Sequence, residues 1–395
     1  MRMKQYGVVI VFVISVICGM IVLPVCAGTH AQVLNPRLLG NSVGNMDTGH
    51  RTADHLTVMT MNVYVGADVD QILSAQDPTQ IPILVALAFQ QLLATNFFER
   101  AEAIAERIQS AQPHLVGLQE ISRIRIQSPG DAVGGGSTPA TVVLFDYLEI
   151  LLDALAARGL DYQVAGMVRN ADIEMPMLAS LAPLAFDDVR LTDYDVILAR
   201  GDVAISNVTA DNYAAALQIA DLGIEIPRGY VAVDAGIKKN HTYRFVNTHL
   251  EPADLDTQLA QAEELLALLE DEKKPVILVG DFNTPAPAGE TYQLLEAADY
   301  VDVWTRNLRR REGEGFTFPH DADLQNETVH LSQRIDHIFV RNRTRGHSVL
   351  GAVFATVWGD ALDERTSPSL LWPSDHAAVI ATLQLPVLGE NAYAK

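Results

Sequence analysis

The sequence predicts an α/β protein in which two stacked β-sheets carry helices on their outer faces. Three observations lead there. From His55 onward short β-like runs alternate with helical stretches. Several of those runs are apolar on both faces, as strands covered on two sides must be. No linker divides the series convincingly, so the layers belong to one unit.

The elements follow in order. "LTVMTMNVYV" (56–65) is the first strand and ends near Asn62. Phe97, Ala101, Ile104, Ala105 and Ile108 recur at helical spacing, so 96–110 reads as a helix. "HLVGLQEI" (114–121) is another strand, with the polar Glu120 at its end. "SPGDAVGGGSTP" (128–139) is a loop by its Gly, Ser and Pro content. A helix is expected from Val142 to Arg158, stopped by Gly159. Further strands fit 161–168, 194–199, 229–236, 241–249, 275–281, 333–340, 347–357 and 376–384, and helices fit 254–271 and 290–298.

The first 31 residues stand apart from this series. Arg2 and Lys4 precede an apolar run from Tyr6 to Val25, and small residues follow at Ala27, Gly28 and Ala31, the layout of an export signal. The expected organisation is a leader over 1–31 and one catalytic domain over 32–395, secreted or periplasmic. The competing reading is an uncleaved anchor, because the run is almost long enough to span a bilayer. Cys26 invites a lipid-modification reading, but Val25 before it is bulkier than that processing tolerates. Both cysteines, Cys18 and Cys26, lie in the leader, so a mature chain has neither disulfides nor thiolate metal ligands.

At 49% hydrophobic and 19% charged residues, the 395-residue chain has the composition of an ordinary globular protein. Its formal charge is -21, and about -23 without the leader, which holds two of the 28 basic residues and no acidic ones. Such a surface repels polyanions at long range and argues against a dedicated nucleic-acid binder.

Polar residues at strand ends carry the chemistry. "VILVGDFNTP" (276–285) drives a buried strand to its end and then sets Asp281 and Asn283 two positions apart, on one side of an extended chain. Asn62, Glu120, "NTHL" (247–250), "RIDHIFV" (334–340) and "SDH" (374–376) repeat the pattern. Any one of them alone reads as a turn former or helix cap. If they converge, Glu120, Asp281, Asp336 and Asp375 would repel one another and any anionic ligand unless a cation stood between them. Oxygen ligands without cysteine favour Mg²⁺ or Mn²⁺.

These motifs, taken in order from Met61-Asn62 through Gln119-Glu120, Asn247-Thr248-His249, Gly280-Asp281-Phe282-Asn283 and Arg334-Ile335-Asp336 to Ser374-Asp375-His376, resemble the endonuclease/exonuclease/phosphatase superfamily. That superfamily includes DNase I-like nucleases, abasic-site endonucleases, inositol-polyphosphate 5-phosphatases and neutral sphingomyelinases. The resemblance implies a four-layer α/β/β/α sandwich of the DNase I-like kind, two mixed β-sheets flanked by helices, and metal-dependent phosphoester hydrolysis. It implies Glu120 as principal metal ligand, with Asn62 beside it and Asp375 as a further one. Asp281 would orient or deprotonate the attacking water, Asn283 and His249 would hydrogen-bond the phosphate, and His376 would pair with Asp336. Whether Asp281 or His376 is the base stays open. His337, adjacent to Asp336 on a strand, faces the other way and reads as structural; Arg334 shares the Asp336 face and touches either phosphate or a salt-bridge partner.

Departures narrow the substrate. Inositol-phosphate phosphatases usually continue the "GD-N" motif with an aromatic residue and an arginine, whereas Thr284-Pro285 follows here. Nucleases tend to line the groove with basic residues, and only Arg309, Arg310 and Arg311 offer such a patch. Two apolar inserts, 81–98 and 173–186, read either as lipid-contacting elements in the manner of sphingomyelinase-like members or as an extra helix and a lid packed on the core. The expected partner is thus a phosphoester substrate, whether lipid, nucleic acid or small molecule, with peripheral membrane contact in the lipid case. No obligate protein partner is evident. A non-catalytic binding protein on the same fold is the remote alternative, since every expected position is filled.

Overall fold

The computed structural model describes residues 54–385 apart from 76, 221, 239–240, 309–312, 345–346 and 349–352. The leader and the arginine run 309–311 therefore lie outside the described residues. The first of two mixed sheets has eight strands. At its centre Asp54–Asn62 runs parallel to Leu115–Gln119, with Asn62 opposite Gln119. Ala378–Leu385 and Val353–Trp358 extend it antiparallel on one side. Leu184–Arg200, Arg123–Gln127 and Val142–Asp146 extend it on the other. The second sheet has six strands, in the order Val301–Asp302, Asp336–Arg341, Val276–Asp281, His241–His249, Gly229–Lys238 and Ala204–Asn212. Its central pair, His241–His249 and Val276–Asp281, is also parallel.

Parallel neighbours need a crossover. Helix Phe97–Ala111 lies between the first pair and helix Leu255–Leu269 between the second. Asp254 starts the latter by accepting from the Thr257 N–H at 2.8 Å, an N-cap contact. Its Ala262, Leu265 and Leu269 pack with Val246, Leu278 and Phe339 on the outer face of the second sheet. Between the sheets lie Leu56, Val58, Leu115 and Ile197 from one and Val231, Phe245, Ile277, Val279 and Ile338 from the other. The alternate residues Met59 and Met61 are equally buried on the far side of the first sheet. Four layers result: helix, sheet, sheet, helix.

The sheets come closest beneath the strand ends just described. A Cβ on Gly117 would stand 2.5 Å from Val279 Cγ2 and 2.8 Å from Asn247 Oδ1, so only glycine allows this approach. Gln119 Nε2 donates across the gap to Asn247 Oδ1 at 2.6 Å, and Asn247 Nδ2 donates to the Leu118 and Val196 carbonyls. The "QE" and "NTH" motifs thus each pair an inter-sheet tie with a site residue.

Several expected elements are redrawn. Residues 142–146 are a strand, and the helix is Tyr147–Ala157. The β-branched pair Val142-Val143 joins Arg123–Gln127, and Asp146 then caps the helix through the Glu149 N–H. The strand at 161–168 continues to Leu181 and returns as Leu184–Arg200, forming a long hairpin. That hairpin takes the place of the lid expected at 173–186. The other apolar insert is the extra helix Ile81–Ala94. Its Val85 packs with Ile72 and Met177, so the two inserts cover each other.

Candidate active site

Every strand end singled out above lies at one edge of the sandwich, for a topological reason. Asn62, His249 and Asp281 end parallel strands, and Glu120 directly follows the one ending at Gln119. Asp336 opens the antiparallel neighbour of Val276–Asp281, directly opposite Asp281. Asp375 and His376 precede Ala378–Leu385, the antiparallel neighbour of Asp54–Asn62. Ends of parallel strands and starts of antiparallel ones coincide.

Local backbone sharpens the convergence. Tyr64, Glu120 and Asn283 all have positive φ, at 61°, 58° and 50°. Each such non-glycine residue costs about 1–3 kcal/mol and is held only where its surroundings enforce it. Gly280 has φ of 152°, and a Cβ there would lie 1.9 Å from the Thr248 carbonyl oxygen. The glycine of the "GDFN" motif is therefore required by the neighbouring strand.

The side chains form a connected network. Asn62 Nδ2 donates to Glu120 Oε1 at 2.9 Å and to Asp281 Oδ2 at 3.1 Å. Its Oδ1 accepts from the Tyr64 N–H at 2.9 Å, which fixes the orientation of the amide. Asn62 thus reaches the carboxylates through its nitrogen, holding the two together and leaving one lone pair on its oxygen. Glu120 Oε2 accepts from the Val65 N–H at 2.7 Å, and Asp281 Oδ1 from the Asn283 N–H at 2.9 Å. His376 Nδ1 lies 2.9 Å from Asp336 Oδ2, and its Nε2 lies 3.7 Å from Asp281 Oδ2. His249 Nε2 approaches the same Asp281 oxygen at 3.5 Å. Asn62, His249, Asp281, Asp336 and His376 are buried, while Glu120, Asn283 and Asp375 are partly exposed and form the rim.

Charge follows from burial and neighbours. Burial pushes the Asp281 carboxyl up to about 7, against the pull of His376 and with the help of Asp336. Burial also lifts Asp375 to about 7, His376 lowering it and Glu120 raising it. For His376 burial disfavours the cation, yet Asp336, Asp281 and Asp375 outweigh it and hold the ring well above its ordinary value. His249 goes the other way: burial, Arg228 and His376 keep it neutral.

Two groups of side chains bring cation-ligating atoms together. Among the described residues, ligand atoms of Asp281, Asp336 and His376 lie within 4.8 Å of one another. His376 Nδ1 is already committed to Asp336, so this trio is foremost a hydrogen-bonded relay. The rim carboxylates Glu120 and Asp375 are the better fit. Glu120 adds to the cost of charge on Asp375, which His376 and Arg100 offset only in part, and the hydrogen bonds the two carboxylates accept come from neutral groups. A hard cation would relieve that repulsion.

Some residues at the site were not legible in the sequence. Arg228 places NH1 3.2 Å from His249 Nδ1, with its Nε 3.6 Å from Glu251 Oε2. Asp193 and Asp195, on one face of the strand beside Leu115–Gln119, are buried near Glu120; burial first, then Glu120, pushes Asp193 up to about 6. Arg100 is fully buried and donates to four backbone carbonyls around the Asn62 and His376 segments. Arg334 is paired with buried Asp302 at 2.5 Å, and His337 Nε2 lies 3.0 Å from the Thr284 carbonyl, so both are engaged in the scaffold.

Comparison with known proteins agrees with this architecture. An endonuclease/exonuclease/phosphatase family protein from Bacteroides thetaiotaomicron is 17% identical, with a TM-score of 0.51, covering 85% of this chain and 100% of its own. A family protein from Beutenbergia cavernae is 17% identical, with a TM-score of 0.51 over 84% of this chain and 72% of its own. One from Bacteroides vulgatus is 15% identical, with a TM-score of 0.50 over 84% and 100%. At such identities the likeness speaks for the fold alone. No curated protein matches the sequence. The sequence match itself covers residues 59–376, from the strand that ends in Asn62 to His376, and on that span the chain belongs to the Endonuclease/Exonuclease/phosphatase family.

Proposed function

We propose that the chain is an exported, divalent-metal-dependent phosphoesterase that hydrolyses phosphodiester or phosphomonoester bonds. The observation that carries this reading is the His376–Asp336 pair at 2.9 Å, with His376 Nε2 facing Asp281 across 3.7 Å beside the carboxylate rim. Glu120 and Asp375 would hold Mg²⁺ or Mn²⁺, with Asn62 orienting Glu120 and offering its remaining lone pair. When bound, such an ion supplies Lewis acidity to a phosphoryl oxygen and to the departing alkoxide.

The protein's own groups divide the remaining work. The Asp336, Asp281 and Asp375 carboxylates favour the protonated ring, so His376 suits donation to the phosphate better than acceptance of the water's proton. Asp281, raised to about 7, suits a general base at neutral pH. Asn283 and His249 bind a phosphoryl oxygen. The test is turnover of plasmid DNA, RNA, sphingomyelin, inositol phosphates and bis(p-nitrophenyl) phosphate in Mg²⁺, with and without EDTA. Activity on none of them, or activity indifferent to EDTA, would end the proposal. Export is tested separately by the N-terminal residue of protein recovered outside the cytoplasm, expected to be Gly28 or Gln32.

A lipid phosphoester is the favoured substrate class within this reading. At the hairpin turn Leu181 and Leu184 are 78% and 64% exposed, and Ile83 and Leu87 on helix Ile81–Ala94 are 49% and 55% exposed. Among the described residues no single helix is long and apolar enough to cross a membrane. Burying a leucine is worth about 1.5–3 kcal/mol. Leu181→Glu with Leu184→Glu should therefore weaken co-sedimentation with phosphatidylcholine vesicles by at least about tenfold. Wild-type protein that ignores zwitterionic and anionic vesicles alike removes the lipid reading and leaves the nuclease alternative ahead.

The raised carboxyls also give metal binding a pH signature. A cation must displace the proton from Asp375, whose pKa near 7 lies well above the ordinary 3.8. Mn²⁺ binding measured by calorimetry in buffers of different ionisation heat should release about one proton per ion at pH 6 and almost none at pH 8. In the metal-free protein, Asp281 and Asp375 contribute stability fully present below pH 3.8 and lost as pH rises through about 7. Buried His249, His320 and His337 have the opposite sign, contributing above 6.5 and losing it on acidification. Those histidine effects cancel when stability is compared with and without metal, so the metal-induced rise in Tm should grow from pH 5 to pH 7. A rise independent of pH would refute the assignment of Asp375.

A further inference from the structure

The contacts of His249 pose a proton-counting problem. Arg228 NH1 lies 3.2 Å from Nδ1, and Asn283 Nδ2 lies 3.1 Å from Nε2. Both neighbours are donors, and a neutral imidazole has only one acceptor nitrogen. One of the two contacts is therefore not a hydrogen bond.

The Asn283 amide cannot resolve the conflict by turning over. Its Nδ2 also donates to the Leu250 carbonyl at 2.9 Å, and a flip would set two oxygens against each other there. The choice then rests on the ring. A proton on Nδ1 would aim an N–H dipole at a guanidinium and leave the Nε2 lone pair facing Asp281 Oδ2 at 3.5 Å, unfavourable on both sides. A proton on Nε2 lets Nδ1 accept from Arg228 and turns an N–H toward Asp281. The second arrangement wins.

We propose that Arg228 is a positioning residue that locks His249 as an Nε2–H donor, so that His249 and Asn283 present two adjacent N–H groups to one phosphoryl oxygen. The two nitrogens lie 3.1 Å apart; His249 Nε2 has no acceptor nearer than the Asp281 carboxylate at 3.5 Å, and Asn283 Nδ2 keeps a second N–H beyond the one given to the Leu250 carbonyl, so an anionic oxygen in front of them satisfies both. His249 is then a fixed donor and never the base. Arg228 is suited to this task because its side chain is only 15% exposed and its Nε has no protein acceptor. Burial works against its charge, but Glu251, Asp193, Glu120 and Asp195 outweigh it and keep the guanidinium cationic. These carboxylates give the buried acidic strand face a role: they hold Arg228 in place behind the histidine.

The identity of the bound oxygen rests on the phosphoesterase reading; the tautomer does not. The test is a long-range ¹H–¹⁵N correlation on the full chain with labelled histidine, the His249 signals being those lost in His249→Gln. Near neutral pH the wild-type ring is expected to be protonated at Nε2 and bare at Nδ1. Arg228→Met should shift the proton toward Nδ1 and lower kcat/KM by about 10–100-fold, the usual loss for a supporting partner. Arg228→Lys, which still donates, should restore the Nε2–H form and most of the activity. A wild-type ring protonated at Nδ1 or at both nitrogens overturns the proposal without any variant, as does an unchanged tautomer in folded Arg228→Met. Because the ring is read without substrate, failure of the phosphoesterase reading shows in the turnover panel and failure of the lock shows in the ¹⁵N signals.

Discussion

Asp281→Asn is expected to lower kcat on bis(p-nitrophenyl) phosphate by about 10²–10⁴-fold, the range spanned by general base catalysis, while the metal-free protein becomes more stable near pH 7. Both halves follow from one fact. Burial makes the ionised carboxylate unfavourable where it stands and lifts its pKa to about 7. An asparagine keeps the shape and removes the charge that the interior resists, at the cost of one hydrogen bond, since its single oxygen accepts from only one of the Asn62 and Asn283 donors that Asp281 meets with two. Activity and stability should therefore move in opposite directions. Glu120→Gln and His376→Gln should lose turnover comparably, His376→Gln without the stability gain, because its cation is balanced by Asp336 at 2.9 Å. Undiminished turnover in all three would leave the catalytic roles without support.

What could be read in the sequence was whatever the backbone alone determines. A strand that stays apolar to its last residue and then turns polar, as at Val276–Asp281, marks both a buried strand and a site at its end. Four such ends, at Asn62, Glu120, His249 and Asp281, joined by the polar starts at Asp336 and Asp375-His376, gather at one edge, while the layers were legible from the alternation of strands and helices and from the family resemblance. The hairpin Tyr162–Leu181 with Leu184–Arg200 was harder, because Pro176 and the alternation of acidic and apolar residues beyond 170 resemble a loop. Its continuity depends on the helix Ile81–Ala94 lying against it, a partner some ninety positions away in the chain and packed through Val85 and Met177.

Arg228 and Arg100 were invisible for a different reason. An arginine's role depends on which acceptors surround it in space, and nothing in "IPRGYV" or "FFERAE" says that either side chain turns inward. The same limit applies to Asp193 and Asp195, whose spacing put both on one face without revealing that the face is buried. The family resemblance implied Asn62, beside Glu120, as a ligand. Its orientation, set by the Tyr64 N–H, was beyond the reach of spacing arguments.

Arg100→Met should destabilise the fold by about 3–5 kcal/mol, as removal of one partner from a buried charged network does. The guanidinium donates to the carbonyls of Thr95 at 2.8 Å, Val63 at 2.5 Å, and Tyr64 and Pro373 at 3.1 Å each. Methionine fills much of the volume but leaves those oxygens without that donor, and each unsatisfied group carries a penalty of about 1–3 kcal/mol. The loss should also reach the site. Val63 and Tyr64 follow Asn62, Pro373 precedes the Ser374-Asp375-His376 turn, and Ser374 Oγ already donates to the Asn62 carbonyl at 2.8 Å. Arg100 is thus the buried clamp between the two segments of the first sheet that supply Asn62 and His376. Urea unfolding should show a lower midpoint with an unchanged slope, and the variant, assayed cold where it remains folded, should bind Mn²⁺ more weakly than wild type. Lys273→Met, on an exposed pair with Asp271, should leave both measurements where they were. If Arg100→Met matched that control in stability and metal affinity, the clamp would be an ornament of the packing, and the strand ends would owe their alignment to the sheet ladders alone.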